Sequence, residues 1–409
     1  MGKNAIVGQS GGPTSVINAS LAGVYKTARD LGASKIYGMR NGIEGLLAER
    51  YVDLGDYIKD DVDIELLKGT PSAFLGSCRY KLPTVDKDEA VYEKLFKIFR
   101  KLDIGYLFYI GGNDSMDTIA QFTIFADKIG SDIKFIGVPK TIDNDLVITD
   151  HTPGFGSAAK YVATSVKELI RDNKVNDMDV VTVIEIMGRD AGWLTGSAAL
   201  SEGSDCDGPD LIYLPELEFD MEKFIERVQE IQKERRSVIV CVSEGIMTGD
   251  GKYVCEYTHN ASRTTDAFGH RQLTGTARVL ADVVKLRLGC KVRAIEFSSL
   301  QRCASHLQSE TDVKEAFHVG VAAVRAAFSG ETGKVVVIER VDEEPYQITM
   351  GSCDVHLVAN YKKDVPRGWI NEAGDYVTRQ FIDYVRPLII GETTTITVDG
   401  LPRHINYIK

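Results

Sequence analysis

Residues 139–145 carry the side chains best suited to proton transfer and metal binding. Asp143 and Asp145 are two positions apart, so in an extended segment both carboxylates project to the same side. One carboxylate could act as a general base while the other helps to hold a divalent cation. Lys140 lies beside them and offers a positive charge to an anionic ligand. The segment follows an apolar run, and doubly wound sheets bind ligands at the C-terminal ends of such strands.

Two glycine-rich turns indicate a second kind of chemistry, the binding of phosphate groups. Residues 111–115 follow the apolar run at 106–110, and residues 8–13 follow the run at 4–7; each turn precedes a segment with helical spacing of apolar residues. Backbone N–H groups at the start of a helix can face an anion, and the helix dipole adds positive potential. The alternative is structural, because Asn, Asp and Ser are also common helix-capping residues.

Further strand ends place single charged side chains where an anion or a sugar could bind. Arg189 follows an apolar run, and its guanidinium suits a phosphate or a carboxylate. Glu244 follows another run, and its carboxylate can accept hydrogen bonds from sugar hydroxyls. Arg293 and Arg302 could complete a phosphate clamp, although isolated arginines are usually solvated.

These side chains need a scaffold that brings strand ends together. Short apolar runs rich in Val and Ile alternate with longer segments of helical period, which predicts an α/β fold with mostly parallel sheets covered by helices. A stripe from Ile17 to Leu31 predicts one such helix. The best candidate for a domain boundary is the loop at residues 143–156. The predicted strands are residues 4–8, 106–110, 134–138, 180–186, 238–242, 292–297 and 334–338.

Composition narrows the class of protein. The chain has 409 residues with 44% hydrophobic content, enough for two domains of ordinary size. Its net charge of -11 disfavours nucleic acid and anionic membrane surfaces as partners. The seven cysteines form no C-x-x-C pair and are odd in number, which favours reduced thiols and a cytoplasmic location. We expect neither a targeting leader nor a membrane span, because no suitable apolar run is present.

Six motifs, taken in order and spacing, resemble the phosphofructokinase family. The resemblance covers about residues 3–305 and leaves the last hundred or so residues without an assignable motif. It implies two similar Rossmann-like domains, an active site in the cleft between them, and magnesium-dependent phosphoryl transfer to the 1-hydroxyl of fructose 6-phosphate. A homodimer or homotetramer is also implied. The motifs are residues 10–12, 75–79, 111–115, 139–145, 187–189 and 301–302.

The resemblance also predicts how the chain divides. Residues 1–150 with about 303–365 are expected to form the phosphoryl-donor domain, and residues 151–302 with about 366–409 the fructose 6-phosphate domain.

Carried over by position, the resemblance assigns a role to each candidate residue. Asp143 looks like the general base, joined in a catalytic set by Asp114, Lys140 and Arg189, of which Arg189 is placed to stabilise transition-state charge. Thr141 and Asp145 would support the transferring phosphoryl group and its metal. The expected donor contacts are Gly12, Arg79, Gly112 and Lys140. The expected sugar-phosphate contacts are Thr141, Ile142, Asp143, Met187, Gly188, Arg189, Glu244, Arg293 and Arg302, and the expected metal ligands are Asn113 and Asp145.

Three positions depart from the family's common pattern. Asn113 replaces a more usual acidic residue, so it offers the metal only a neutral oxygen. Ser299 stands where many bacterial members have a histidine, and Val180 where ATP-dependent relatives have an arginine that reaches across a subunit contact. The last two departures fall at positions where a neighbouring subunit or the sugar phosphate is contacted in those relatives.

Two positions separate the ATP-dependent and pyrophosphate-dependent branches of the family. ATP-using members have glycine where this chain has Asp114 and Lys140. A carboxylate at position 114 fills the space for the α-phosphate of a nucleotide and repels it. One such charge pair at ~4 Å costs about 4 kcal/mol at an effective dielectric of ~20, or about three decades in affinity. Lys140 offers a cation to a short donor without adenosine, so the sequence predicts reversible transfer from pyrophosphate.

Rival functions stand beside this prediction. An ATP-dependent 6-phosphofructokinase with an altered turn is the nearest, and a non-catalytic regulatory subunit that binds a sugar phosphate is another. A nicotinamide-dependent oxidoreductase is favoured by the glycines of residues 154–159 alone. That segment follows a polar stretch rather than a strand, so it lacks the context of a dinucleotide-binding turn.

Overall fold

The computed structural model describes residues 3–175, 177–257, 273–406 and 408. The strands are β1 (Asn4–Gln9), β2 (Ile36–Met39), β3 (Tyr51–Asp53), β4 (Ile104–Gly111), β5 (Lys134–Pro139), β6 (Val180–Ile186), β7 (Leu211–Tyr213), β8 (Ser237–Ser243), β9 (Lys291–Glu296), β10 (Lys334–Glu343), β11 (Tyr346–Asp354), β12 (Thr397–Val398) and β13 (Leu401–Pro402). The α-helices are α1 (Ile17–Asp30), α2 (Gly42–Leu47), α3 (Asp61–Gly69), α4 (Glu89–Lys101), α5 (Asn113–Ile129), α6 (Phe155–Asn173), α7 (Trp193–Gly196), α8 (Met221–Gln232), α9 (Thr276–Leu288), α10 (Leu300–Cys303), α11 (Glu310–Phe328) and α12 (Arg379–Val385). None of these helices combines the length and the apolar character that crossing a membrane requires.

Two sheets carry the fold, and both are mostly parallel. The larger has the strand order β11-β10-β5-β4-β1-β2-β3, with antiparallel pairs at its two edges and parallel pairs between. The smaller has the order β7-β8-β6-β9 and is parallel throughout. Apolar side chains form separate buried clusters on both faces of each sheet, as expected for parallel strands covered by helices. The predicted α/β fold is confirmed.

Each of the seven predicted strands lies on an observed strand. Phe297 falls just outside β9, which ends at Glu296. The predicted helical stripe lies on α1, except that Leu31 caps the end of the helix and is exposed.

The C-terminal part of the chain contacts both sheets. Val365, Phe381 and Leu388 are buried in a cluster with α6 and the smaller sheet. Ile405 and Ile408 are buried against the larger sheet instead. The division of the chain into two domains stays a prediction.

A buried charge network supports the loop from β5 to α6. The His151 imidazole contacts Asp150 Oδ1 at 2.8 Å and Glu315 Oε2 at 2.6 Å. Arg340 donates to the same Asp150 oxygen at 2.9 Å. Burial lowers the pKa of His151, but the charge of Glu315 and hydrogen bonds to both carboxylates outweigh it and raise the pKa to about 9. His151 is therefore an imidazolium ion at neutral pH.

This network predicts how stability depends on pH. The pKa of His151 is about 9 in the folded chain and 6.5 in the unfolded one, so its contribution is fully present below pH 6.5 and is lost as pH rises through 9. We expect the free energy of unfolding to fall by roughly 3 kcal/mol over this window relative to a His151→Gln variant. Urea unfolding of both proteins at equal concentration measures the difference. Parallel pH profiles would contradict a charged His151.

Candidate active site

The strand ends of the two sheets face each other across one cleft, a cavity of about 450 Å³. This volume lies within the roughly 300–1,000 Å³ that is usual for small-molecule sites. In the part of the chain that the structure describes, all predicted site residues except Gly188 and Arg293 line the cleft. The loops after β1, β4 and β5 supply one wall, and those after β6 and β8 supply the other.

The predicted donor end is built from the two glycine turns. β4 ends at Gly111, Gly112 caps α5, and the helix begins at Asn113. A Cβ on Gly111 would lie 1.8 Å from Ser115 Oγ, so a side chain there would clash with the first turn of the helix. The chain thus needs glycine to turn directly from strand to helix, and this turn points the first N–H groups of α5 toward the cleft.

Lys140 joins the two glycine turns. It is buried, and its ammonium group donates to the backbone carbonyls of Ser10 at 3.0 Å and Gly12 at 2.7 Å. Burial lowers the pKa of Lys140 to about 8, while the charge of Asp143 opposes that change. An ammonium group has three N–H donors, so these two bonds leave one for a ligand. Lys140 therefore fixes the position of the first turn and presents a cation beside it.

Three arginines bring positive charge to the cleft. Arg79, Arg189 and Arg302 all line the cavity. Burial, followed by the charges of Arg302 and Arg189, lowers the pKa of Arg79. A Cβ on Gly12 would lie 3.4 Å from Arg302 Nη1. Arg189 Nε donates to Asp190 Oδ2 at 2.8 Å. Such mutual repulsion within an acidic protein indicates an anion-binding site, because a bound phosphate would relieve it.

The predicted carboxylate pair faces the same cleft. Thr141 Oγ1 accepts a hydrogen bond from the Asp143 backbone N–H at 3.0 Å, which closes a tight turn. Burial raises the pKa of Asp143, although the charges of Arg189 and Lys140 oppose it. Burial and then the charge of Asp143 raise the pKa of Asp145 to about 7. Burial is thus the main reason that both carboxyl groups are more basic than an ordinary aspartate, and the charge of Asp143 adds to the effect at Asp145.

These carboxylates fit a magnesium ion. A cation would relieve the repulsion that raises the pKa of Asp145. Among the described residues, no group of three acidic, histidine or cysteine side chains could hold a metal alone. Magnesium usually takes one or two protein carboxylates and completes its shell with water and substrate phosphates, so two carboxylates facing an anion site are sufficient.

The opposite wall presents a further carboxyl group, that of Glu244. Glu244 follows β8, and its backbone N–H donates to the carbonyl of Ile186 at 3.0 Å. Burial, followed by the charges of Glu185 and Asp143, raises the pKa of Glu244 to about 8. Met187 lies beside it and is held by a hydrogen bond from its N–H to Gln301 Oε1 at 3.2 Å. A carboxyl group of this kind can exchange hydrogen bonds with sugar hydroxyls.

Two predicted residues lie elsewhere, and a third has a different set of contacts. Gly188 lies behind the loop, where its carbonyl accepts from Ser243 Oγ. Arg293 donates to Asp172 Oδ2 at 3.2 Å and to Asn173 Oδ1 at 3.1 Å, so this chain does not bring it to its own cleft. The Asn113 side chain accepts from the backbone N–H of residue 360 and donates to the carbonyl of residue 361. These contacts favour a structural role for Asn113 over metal binding.

Sequence reasoning missed a stretch of the cleft wall. Asn360, Tyr361 and Lys362 line the cavity, although they lie within the part of the sequence that had no assignable motif. No spacing or composition marks these residues, because only long-range contacts bring them to the site. Asp190 also lines the cleft and could have been found from its position next to Arg189.

Comparisons with known proteins agree with this geometry. Residues 4–298 match the family described as phosphofructokinase. The chain is 42% identical over 404 residues to a pyrophosphate–fructose 6-phosphate 1-phosphotransferase of Halomonas elongata, covering 98% of this chain and 95% of that protein. The crystal structure of a pyrophosphate-dependent phosphofructokinase from Nitrosospira multiformis superimposes with a TM-score of 0.88 at 40% identity, covering 99% of this chain and 96% of that one. The crystal structure of a pyrophosphate-dependent phosphofructokinase from Marinobacter aquaeolei gives a TM-score of 0.87 at 39% identity, covering 100% of this chain and 97% of that one.

Proposed function

Because this chain belongs to the phosphofructokinase family, we propose that it transfers a phosphoryl group reversibly from pyrophosphate to the 1-hydroxyl of fructose 6-phosphate. The products are phosphate and fructose 1,6-bisphosphate, which makes the enzyme a glycolytic phosphotransferase. The full-length similarity to pyrophosphate-dependent relatives supports the donor, and the cleft between two anion-binding walls supports the reaction class.

The observation that carries the choice of donor is the placement of Lys140 and Asp114. Lys140 is buried between the glycine turns, where it can neutralise a short anionic donor. Asp114 lies in the first turn of α5 and lines the cleft, where it would repel a third phosphate group. Pyrophosphate has two phosphates and no nucleoside. It is therefore stabilised by the charge of Lys140 and is too short to be repelled by Asp114.

We propose that Asp143 acts as the general base. Its carboxylate accepts the proton of the sugar 1-hydroxyl as that oxygen forms a bond to the transferred phosphorus, while the bridging P–O bond breaks and phosphate leaves. A raised pKa suits this role, since it makes the carboxylate a better proton acceptor. Arg189 and Arg302 would balance charge on the phosphoryl group and the sugar phosphate, and Glu244 would bind sugar hydroxyls.

Magnesium is part of the same proposal. Asp145 is the best candidate to hold it, beside the proposed base Asp143, and the substrate phosphates would complete the coordination. When bound, magnesium neutralises negative charge on the transferring phosphoryl group. Thr141 shapes the turn that presents both carboxylates.

A homodimer or homotetramer in the cytoplasm completes the proposal. β9 is an edge strand of the smaller sheet and is largely exposed, as are Leu286 and Leu300 nearby in sequence, at 84% and 61% of their surface. Exposed apolar side chains beside an open sheet edge are typical of a surface that another subunit covers. Free cysteines throughout the chain are consistent with a reducing compartment.

A comparison of phosphoryl donors tests the proposed function. With fructose 6-phosphate and magnesium held constant, we expect turnover with pyrophosphate and at least 100-fold lower kcat/KM with ATP, because Asp114 disfavours a third phosphate. Formation of fructose 1,6-bisphosphate is measured for each donor, and release of pyrophosphate is measured in the reverse direction. Strong activity with ATP and none with pyrophosphate would identify an ATP-dependent enzyme instead.

A further inference from the structure

Residues 360–363 form a short connection, here called the strap, that crosses the cleft. The strap follows β11 and lies beyond the residues that match the family description, which end at 298. Asn360, Tyr361 and Lys362 line the cavity. Hydrogen bonds join the strap to α5, to Asp145 and to the carbonyl of Asp190 on the opposite wall. The strap therefore belongs to the site, although none of the roles proposed above requires it.

One end of the strap is bound to the start of α5. Asn113 holds it through both polar atoms of its side chain, at the backbone N–H of Asn360 and the carbonyl of Tyr361. The Asn360 side chain donates to Asp117 Oδ1 at 3.1 Å. Asp114 and Asp117 are three positions apart and so lie on the same face of the helix. The strap thus covers the helical turn that directly follows Asp114.

The other end of the strap is bound to the opposite wall and to the carboxylate loop. Lys362 Nζ donates to the carbonyl of Asp190 at 2.8 Å. The Lys363 backbone N–H donates to the carbonyl of Asp145 at 2.8 Å, and its own carbonyl accepts from Trp193 Nε1 at 2.9 Å. Contacts on both sides hold the strap across the cleft, which favours a fixed wall.

We propose that the strap is a second determinant of donor specificity, which excludes the adenosine of a nucleotide. The inference rests on the proposed function in one respect, that donor phosphates bind at the glycine turns. A donor longer than pyrophosphate that continues along α5 past Asp114 would meet Asn360, whose side chain donates to Asp117 Oδ1 at 3.1 Å. Tyr361 adjoins this point, lines the cleft and keeps 59% of its surface exposed, so it stands where a ribose or a base would lie.

This assignment differs physically from the role of Asp114. The carboxylate acts by charge and opposes any third phosphate, with or without a nucleoside. The strap acts by occupying space and opposes the nucleoside alone. Tripolyphosphate and ATP share a chain of three phosphates and differ in the adenosine, so the ratio of their dissociation constants isolates the contribution of the strap.

Isothermal titration calorimetry with ATP and with tripolyphosphate, in magnesium without sugar phosphate, tests the proposal. We expect Tyr361→Ala to lower the ratio of the ATP to the tripolyphosphate dissociation constant by tenfold or more, since it removes the bulky ring. Asn113→Ala should lower the same ratio because it releases the strap from α5. Tyr361→Phe is the matched control, and it should keep the wild-type ratio within threefold because the ring remains.

The outcomes separate this proposal from the proposed function. If neither alanine variant changes the ratio by more than threefold, or if both ligands weaken together, the strap does not select against adenosine. ATP binding that stays undetectable in both alanine variants, while tripolyphosphate binds, also overturns the inference. Failure of the proposed function has a different signature, which is absence of turnover by the wild-type protein with pyrophosphate, and the affinity ratio does not depend on that result.

Discussion

Replacement of Asp143 by asparagine should lower kcat with pyrophosphate and fructose 6-phosphate by about 10²- to 10⁴-fold, the usual contribution of a general base. The amide has nearly the same shape as the carboxylate but cannot accept the proton of the 1-hydroxyl. Burial raises the pKa of Asp143, so its ionised form is costly to the folded chain. We therefore expect the variant to be at least as stable as the wild type, and rates and thermal unfolding should be measured on the same preparations.

A second carboxylate of the cleft provides the control for this experiment. Asp190 also lines the cavity and accepts a hydrogen bond from Arg189, but no proton transfer is proposed for it. Asp190→Asn should lower kcat by less than about tenfold, because its amide oxygen can still accept the hydrogen bond from Arg189. Glu244→Gln should mainly raise KM for fructose 6-phosphate. Turnover by Asp143→Asn within tenfold of the wild type would remove Asp143 as the base.

The sequence allowed the central strands to be predicted because parallel strands buried on both faces appear as continuous apolar runs. The edge strands β3 and β11 lack that signal. β3 has three half-buried residues, and β11 alternates between half-buried and exposed positions, so neither forms an apolar run. β2 and β7 were missed because they have four and three residues, too few to show a period.

The residues of the candidate site were predictable where they come soon after the end of a strand. Lys140, Asp143 and Arg189 lie directly after strands, so the parallel arrangement alone brings them to one cleft. The strap was not predictable in this way. Its contact with Asn113 joins residues 247 and 248 positions apart, and no local pattern in the sequence indicates such a pairing. The residue roles carried over from the family resemblance stay predictions that the variants above can test.

Combined replacement of Asp114 and Lys140 by glycine should change the donor preference. Loss of the Lys140 cation should lower kcat/KM for pyrophosphate by about 10²- to 10³-fold, since a buried charged group in hydrogen-bond reach of the donor is removed. Loss of the Asp114 carboxylate should improve use of a triphosphate donor by up to about 10³-fold. Initial rates with pyrophosphate, tripolyphosphate and ATP measure both effects.

The single variants assign each effect to its side chain. Asp114→Gly alone should raise kcat/KM for tripolyphosphate by a larger factor than it lowers kcat/KM for pyrophosphate. Lys140 also holds the carbonyls of Ser10 and Gly12, so its loss will loosen the first turn. Lys140→Met keeps most of the buried volume without the ammonium group. Equal losses in Lys140→Met and Lys140→Gly would therefore assign the effect to the ammonium group, through its charge and its hydrogen bonds, and not to the lost volume. If the strap excludes adenosine, kcat/KM will rise less for ATP than for tripolyphosphate in the double variant. Full pyrophosphate activity in that variant would refute the role given to Lys140, and the absence of any gain with tripolyphosphate would refute the role given to Asp114.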